Sequence, residues 1–231
     1  MHTPSWWYDE FQQLGVDFAN VEEVRAYDAK QGTAVEDELV LVETLRIAAD
    51  DTVIEFGCGT GAFTVAAAQQ CRHVIAVDIS NAMLDFTAER AASYGLSNVT
   101  CCQAGFLSYE HSAKPANFVV TKFALHHLPD FSKSVALVNM YNALDNGGRL
   151  FLKDVVFSFA PAQHNAPINH WIHSFSGSGS SFSKEQFEAH IRDEYSTYGF
   201  ILEGLLADAG FVIEKSEYLS LMYAQYTCIK K

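Results

Sequence analysis

Short apolar runs alternate along the chain with longer stretches in which apolar residues recur at helical spacing, and this rhythm predicts most of the elements. Residues 34–48, "AVEDELVLVETLRIA", carry Val35, Leu39, Val42, Leu45 and Ile47 near helical spacing and predict an amphipathic helix ahead of the sheet. "TVIEF" follows as a short buried strand ending at a glycine turn, and the segment after Thr60 is alanine-rich and helical. "HVIAVDIS" is a β-branched strand ending in Asp78; Asn81, Met83, Leu84 and Phe86 then mark a helix that stops near Tyr94 and Gly95. "NVTCCQAGF" predicts a third strand, "NFVVTKF" a fourth, residues 131–144 a helix closed by "DNGG", and "RLFLKDVVF" a fifth strand. Strands this uniformly apolar, separated by helix-length segments, predict a parallel sheet covered on both faces.

The two ends read differently. Residues 1–32 are aromatic at the start (Trp6, Trp7, Tyr8, Phe11) and then acidic, without strand-like alternation, so 1–33 reads as an N-terminal helical arm or lid and 34–231 as the main domain. Pro161, Pro167 and the tract "SGSGSSFS" predict a mobile insertion over about 160–195. "TYGFILEGLLADAG" is a helix capped by Gly210, and "FVIEKSEYL" and "LMYAQYTCI" lie too close together for a helical crossover, so they should pair as an antiparallel hairpin at one end of the sheet. The expected fold is α/β: a Rossmann-like, doubly wound, seven-stranded sheet, mostly parallel, with a C-terminal antiparallel hairpin.

Composition narrows the partners. With 231 residues, 49% of them hydrophobic, the chain can bury the core of one α/β domain. Its 28 acidic against 15 basic residues give a formal charge of −13, with no basic run beyond Lys230-Lys231, which disfavours nucleic acid and anionic membrane surfaces as partners. No charged leader or membrane-length apolar run is visible, so a cytoplasmic protein is expected, as a monomer or homodimer. The five cysteines stand in no zinc-like spacing; they read as reduced structural thiols, and no metal is expected.

The chemistry concentrates in "VIEFGCGTGAFTVAAA". A glycine turn between strand and helix lets backbone approach a ligand and presents helix N–H groups to it. Gly57, Gly59 and Ala62 satisfy GxGxxA, with Asp78 near the ~20 residues downstream expected of a ribose-binding carboxylate, so a dinucleotide fits the pattern. Glu55 opens an ExGxGxG run, and a carboxylate there would repel a pyrophosphate but suit an amino group. That favours an amino-acid-like ligand.

From about residue 34 onward, "VIEFGCGTG", "VIAVDIS", "FALHHLPD" and "LDNGGRLFLKDVVF", in that order, resemble the class I S-adenosylmethionine-dependent methyltransferases, particularly the small-molecule branch. The resemblance implies S-adenosylmethionine as cofactor, S-adenosylhomocysteine as product and a small-molecule methyl acceptor. It implies that Glu55, Gly57, Cys58, Gly59 and Gly61 lie along the methionine part, that Asp78 accepts the ribose hydroxyls, that Ile79 and Met83 pack on adenine, and that Lys122 stands beside the methyl group. Tyr27 would contact the cofactor from the arm. The chain departs from the family after the third strand, where an Asp or Glu usually accepts the adenine amino group: Gly105 stands there, leaving main chain near Gly105 and Phe106 to hold adenine.

Methyl transfer from a sulfonium is an in-line displacement that asks the protein for alignment, desolvation and sometimes a base. His126 and His127 are the candidate catalytic bases, with His170 and His173 in the insertion behind them. Glu194, Tyr195 and Thr197 precede the last helix, where such folds commonly line an acceptor pocket; Thr197 reads equally as that helix's N-cap. The alternatives are a non-catalytic, cofactor-binding methyltransferase-like module and an NAD(P)-dependent oxidoreductase.

Overall fold

In the computed structural model, which describes residues 4–12, 18, 20–31, 33–175 and 183–231, the strongest apolar runs form the middle of the sheet. The elements are α1 (Val21–Gln31), α2 (Val35–Leu45), β1 (Thr52–Phe56), α3 (Ala62–Ala68), β2 (His73–Asp78), α4 (Asn81–Ser93), β3 (Val99–Gln103) and β4 (Ala116–Lys122). They continue with α5 (Asp130–Ala143), β5 (Leu144–Phe157), α6 (Asn165–Phe175), α7 (Lys184–Asp193), β6 (Thr197–Tyr198), α8 (Gly199–Asp208), β7 (Phe211–Tyr218) and β8 (Tyr223–Lys230). The main path runs β3-β2-β1-β4-β5-β8-β7. The first five strands are parallel, and β8 and β7 are antiparallel. The expected seven strands are all present; an eighth, the two-residue β6, pairs with the end of β5 through Val156 and Thr197.

Period-two alternation divides the core between the faces of the sheet. On β1, Ile54 and Phe56 pack with Leu137 and Met140 of α5 and Leu202 and Leu206 of α8. Val53 packs on the other side with Val42 of α2 and with Phe63 and the alanines of α3. Every residue of β1 is buried, as a central strand covered on both faces must be. Strand order reverses between β1 and β4, and at such a switch point the carboxyl ends of the strands leave a crevice.

Three sequence expectations change. The segment 4–12 forms turns, and among the described residues of the expected arm the helix is α1. Helix α5 stops at Ala143, and "DNGG" belongs to an irregular start of β5, where the register with β4 shifts between Ala116 and Phe118. Within the insertion, Asn165–Phe175 and Lys184–Asp193 are helices; the "SGSGSSF" tract lies outside the described residues. Pro167 sits in the first turn of α6, where a missing N–H costs nothing, and Ile168, Trp171 and Ile172 form an apolar stripe. The stripe packs with Phe159, Met222 and the side chains of Phe187 and Ile191 on α7.

Candidate functional site

A cavity of about 170 Å³ opens at the carboxyl ends of β1, β2 and β4, with its outer wall built by the segment before α2. Its floor is the turn from β1 into α3. Gly57, Gly59 and Gly61 all have positive φ (67°, 53° and 78°), which lets the backbone fold back under the cavity. A Cβ on Gly57 would stand 2.4 Å from that of Ala124, and one on Gly61 within 2.6–2.9 Å of the Thr87 side chain on α4.

Asp78 ends β2 at the cavity wall. Its Oδ2 accepts the Gly59 N–H and its Oδ1 the Ser80 N–H, both at 2.9 Å, so each oxygen keeps a lone pair for another donor. Burial pushes its carboxyl above the usual range, against those backbone donors. Ile79 and Met83, which follow closely in sequence, are on the wall, as are Tyr27, Gly105, Phe106 and Lys122. Phe106 stacks on Phe56 with centroids 5.3 Å apart.

Three residues of the expected set stand behind this wall. Glu55 is 2% exposed and accepts the Thr64 hydroxyl of α3, and burial pushes its carboxyl up to about 8. Cys58 is buried against Ala76 and Leu84, and Gly61 caps α3 from below. Lys122 reaches the wall, but its ammonium pairs with Glu38 at 2.5 Å and lies 5.2 Å from the Phe63 ring centroid, which explains how a lysine is accommodated there. All five cysteines are free thiols; Cys101 and Cys102 pack into different clusters, as neighbours on a strand must.

The two histidines separate. The chain leaves β4 through Phe123, whose φ of 52° is held by its N–H bond to the Lys153 carbonyl (2.7 Å), and enters a 3₁₀ turn over Leu125–His127. His127 is half-buried and lines the cavity. His126 points inward: Nδ1 is 2.5 Å from Asp154 Oδ1, Nε2 is 3.1 Å from Glu194 Oε2, and its backbone N–H donates to Asp154 Oδ2. Burial opposes charge on His126, but the Asp154 carboxylate and then Glu194 outweigh it and raise its pKa to about 9. Burial and the neighbouring His126 charge lower His127 to about 4.

Glu194 is the hub of this cluster. Its Oε2 is 2.6 Å from His190 Nδ1 and 3.9 Å from His127 Nδ1, and His190 Nε2 is fixed by Ser196 Oγ at 2.8 Å. Against the opposing effect of burial, His126 and His190 hold the Glu194 carboxyl far below the usual range. Among the described residues, His126, His127 and Glu194 are the group whose spacing could suit a metal, with ligand atoms within 4.8 Å of one another. Glu194's own oxygen stands between the imidazoles, however, which makes an ion-pair hub instead of an open cage.

The other candidates are placed elsewhere. Thr197 is not a helix cap: it lies in β6, and Tyr198 is the N-cap residue of α8. The Tyr195 N–H donates to the His126 carbonyl at 2.8 Å, beneath the cluster. His170 and His173 lie on the exposed side of α6, away from the cavity wall.

Sequence reasoning missed Glu10. This residue is on the cavity wall and 9% exposed; its Oε2 accepts the Leu107 N–H at 2.8 Å and its Oε1 has no partner. Tyr8, on the same segment, donates its hydroxyl to the His127 carbonyl at 3.0 Å. The missed helix α7 did carry a signal: Ser183 and Gln186 form a capping box, an S-x-x-Q pattern legible in "SKEQ".

Residues 53–148 match the family described as "Methyltransferase domain", a stretch that contains the glycine turn, Asp78 and the two histidines. Over that stretch, less than half of its length, the chain is similar to the methyltransferases. It is 24% identical over 225 residues to an uncharacterized methyltransferase of Geobacillus sp., covering 94% of this chain and 93% of that one. A methyltransferase of the same description from Oceanobacillus iheyensis is 28% identical over 115 residues, 50% of this chain and 52% of that one, so the chain spans about half the length of several curated methyltransferases that it matches. In fold it resembles the magnesium protoporphyrin IX methyltransferase of Synechocystis solved with bound S-adenosylhomocysteine, at a TM-score of 0.63 and 17% identity over 96% of this chain and 91% of that one.

Proposed function

We propose that the protein transfers a methyl group from S-adenosylmethionine to a small-molecule acceptor. The observation that carries the reading is the Asp78 carboxylate on the cavity wall, pinned by two backbone N–H groups with one lone pair free on each oxygen, above a glycine turn at the switch point of the sheet. Two vicinal hydroxyls suit those two oxygens. Gly57 and Gly59 offer main chain to the amino-acid part of the cofactor, and Ile79, Met83 and Phe106 offer apolar surface to its base. Bound there, S-adenosylmethionine supplies an electrophilic methyl group.

The chain's own part is to exclude water, orient the acceptor and take up its proton. His127 is placed to accept that proton, because it faces the cavity and the Glu194 carboxylate, 3.9 Å from Nδ1, offsets the positive charge that develops. His126, charged between Asp154 and Glu194, is a positioning residue for that pair. A small acceptor is favoured by a cavity walled on its outer side by Tyr8, Glu10, Gln12, Phe18 and Tyr27, which we take as part of the lid, and by the net charge of −13, which disfavours nucleic acid. Among the described residues no helix is long and apolar enough to cross a membrane.

Calorimetry with S-adenosylhomocysteine tests the reading directly. Binding is expected, and Asp78→Ala should weaken it by at least about 100-fold, the lower limit for two hydrogen bonds to a charged group. Absence of heat with both forms of the cofactor sinks it, and a larger thermal shift with NAD(H) than with S-adenosylmethionine would favour a dinucleotide instead. Binding without label transfer to any component of a metabolite pool would favour a non-catalytic module.

A further inference from the structure

We infer that Glu10 is the hydrogen-bond acceptor for the exocyclic amino group of the nucleoside base, so that a segment more than forty residues ahead of β1 completes the ligand site. The inference rests on the methyltransferase reading above and names a residue that reading does not contain. A carboxylate oxygen withdrawn from water without a donor is costly. Glu10 Oε1 is such an atom, buried and unpartnered, on a residue that stands on the cavity wall. The wall offers it no protein cation, because the Lys122 ammonium is paired with Glu38. The missing donor must therefore come from what occupies the cavity.

Gly105 shows that this carboxylate has a built seat. A Cβ at position 105 would lie 2.2 Å from Glu10 Oε2 and 2.8 Å from Oε1. Gly105, unlike Gly57, Gly59 and Gly61, does not have the positive φ that would call for glycine on backbone grounds. Its bare hydrogen is needed for the space Glu10 fills. The Leu107 N–H then fixes the second oxygen, which orients the carboxylate. Glu10 and Asp78 are the two carboxylates on the wall, and Ile79, Met83 and Phe106 are the apolar groups that share it. This set matches a ribonucleoside whose flat base carries an amino donor: hydroxyls to one acid, amino group to the other.

The test compares S-adenosylhomocysteine with S-inosylhomocysteine, in which the amino group is replaced by a carbonyl, by calorimetry on the full chain. Wild type should prefer the adenosyl form by about 10- to 100-fold, the range for one hydrogen bond to a charged group. In Glu10→Ala the preference should fall below about threefold. Gly105→Ala, which keeps the carboxylate but fills its seat, should do the same. Loosening of the segment would weaken both ligands equally and leave their ratio intact, so the ratio separates recognition from mere closure. The double variant Glu10→Ala/Gly105→Asp, which returns a carboxylate from the end of β3, should recover much of the preference. An unchanged ratio in Glu10→Ala, or no preference in wild type, overturns the inference while leaving the methyltransferase reading in place. Failure of wild type to bind S-adenosylhomocysteine overturns both.

Discussion

His126 and His127 are neighbours in the chain and opposites in charge, because one turn of backbone sends the first between two carboxylates and the second to the cavity. Nuclear magnetic resonance titration should find the His126 imidazole protonated until about pH 9 and His127 neutral down to about pH 4. In Asp154→Asn the His126 midpoint should drop by one unit or more, since the largest charge-stabilising contact is removed. The sign for stability follows. His126 has a folded pKa above its ordinary 6.5, so its contribution is complete below that value and is lost as pH rises through about 9; thermal melts of wild type should fall across this window more than those of His126→Gln. His127→Gln should lower kcat by about 10²- to 10⁴-fold with little change in cofactor affinity, which single-turnover kinetics and calorimetry check together. Such an assignment was only half legible in "FALHHLPD". The pair of histidines is in the sequence, but Asp154, His190 and Glu194 come from strand and helix 27 or more positions away, and their convergence is a tertiary fact.

At the scale of the element, the β1–α3 turn places three glycines for different reasons. Gly59 has open space around its Cβ position, so Gly59→Ala bears only the left-handed backbone cost of about 1–2 kcal/mol. Gly57→Ala and Gly61→Ala add collisions with Ala124 and Thr87 and should each lose at least a further ~1 kcal/mol in urea unfolding. An equal loss in all three would contradict this ranking. The spacing of the glycines and the strand before them was readable, since backbone need and apolar pattern are written locally. Which residues of the same motif line the cavity was not: Gly57 and Gly59 do, whereas Glu55 stands behind the wall, bonded to Thr64 on α3. The insertion misled for a related reason. Two prolines and a polar tract outweighed the apolar stripe at Ile168, Trp171 and Ile172, whose partners Phe159 and Met222 lie outside it.

For the whole molecule, the sheet order and the hairpin followed from element spacing, whereas the cavity's outer wall did not, because segment 4–12 has neither period nor regular structure. Its contacts with the body include Tyr8 to His127 and to the Tyr195 ring, Trp6 to the Phe131 ring, Glu10 to Leu107, and, further along, Phe18 through its carbonyl to Ser80. Saturating S-adenosylhomocysteine at 100 times its Kd should stabilise the fold by about 2.7 kcal/mol, whichever residues it touches. The melting temperature should then rise by roughly 5–10 °C. Hydrogen exchange at residues 4–12 should slow beyond the change seen in β1, and uniform protection would deny the segment a part in binding.

The bond from Tyr8 to His127 also has a bearing on how the protein is made. Its two ends are 119 positions apart, and Glu10 is 97 from Leu107. During synthesis the segment emerges well ahead of its partners at His127 and Leu107 and waits for roughly a hundred further residues before its seat exists. Loop closure over such separations comes late. A segment translated well before its partners is thus among the last to find its place, and the candidate site is finished only after the body that carries it.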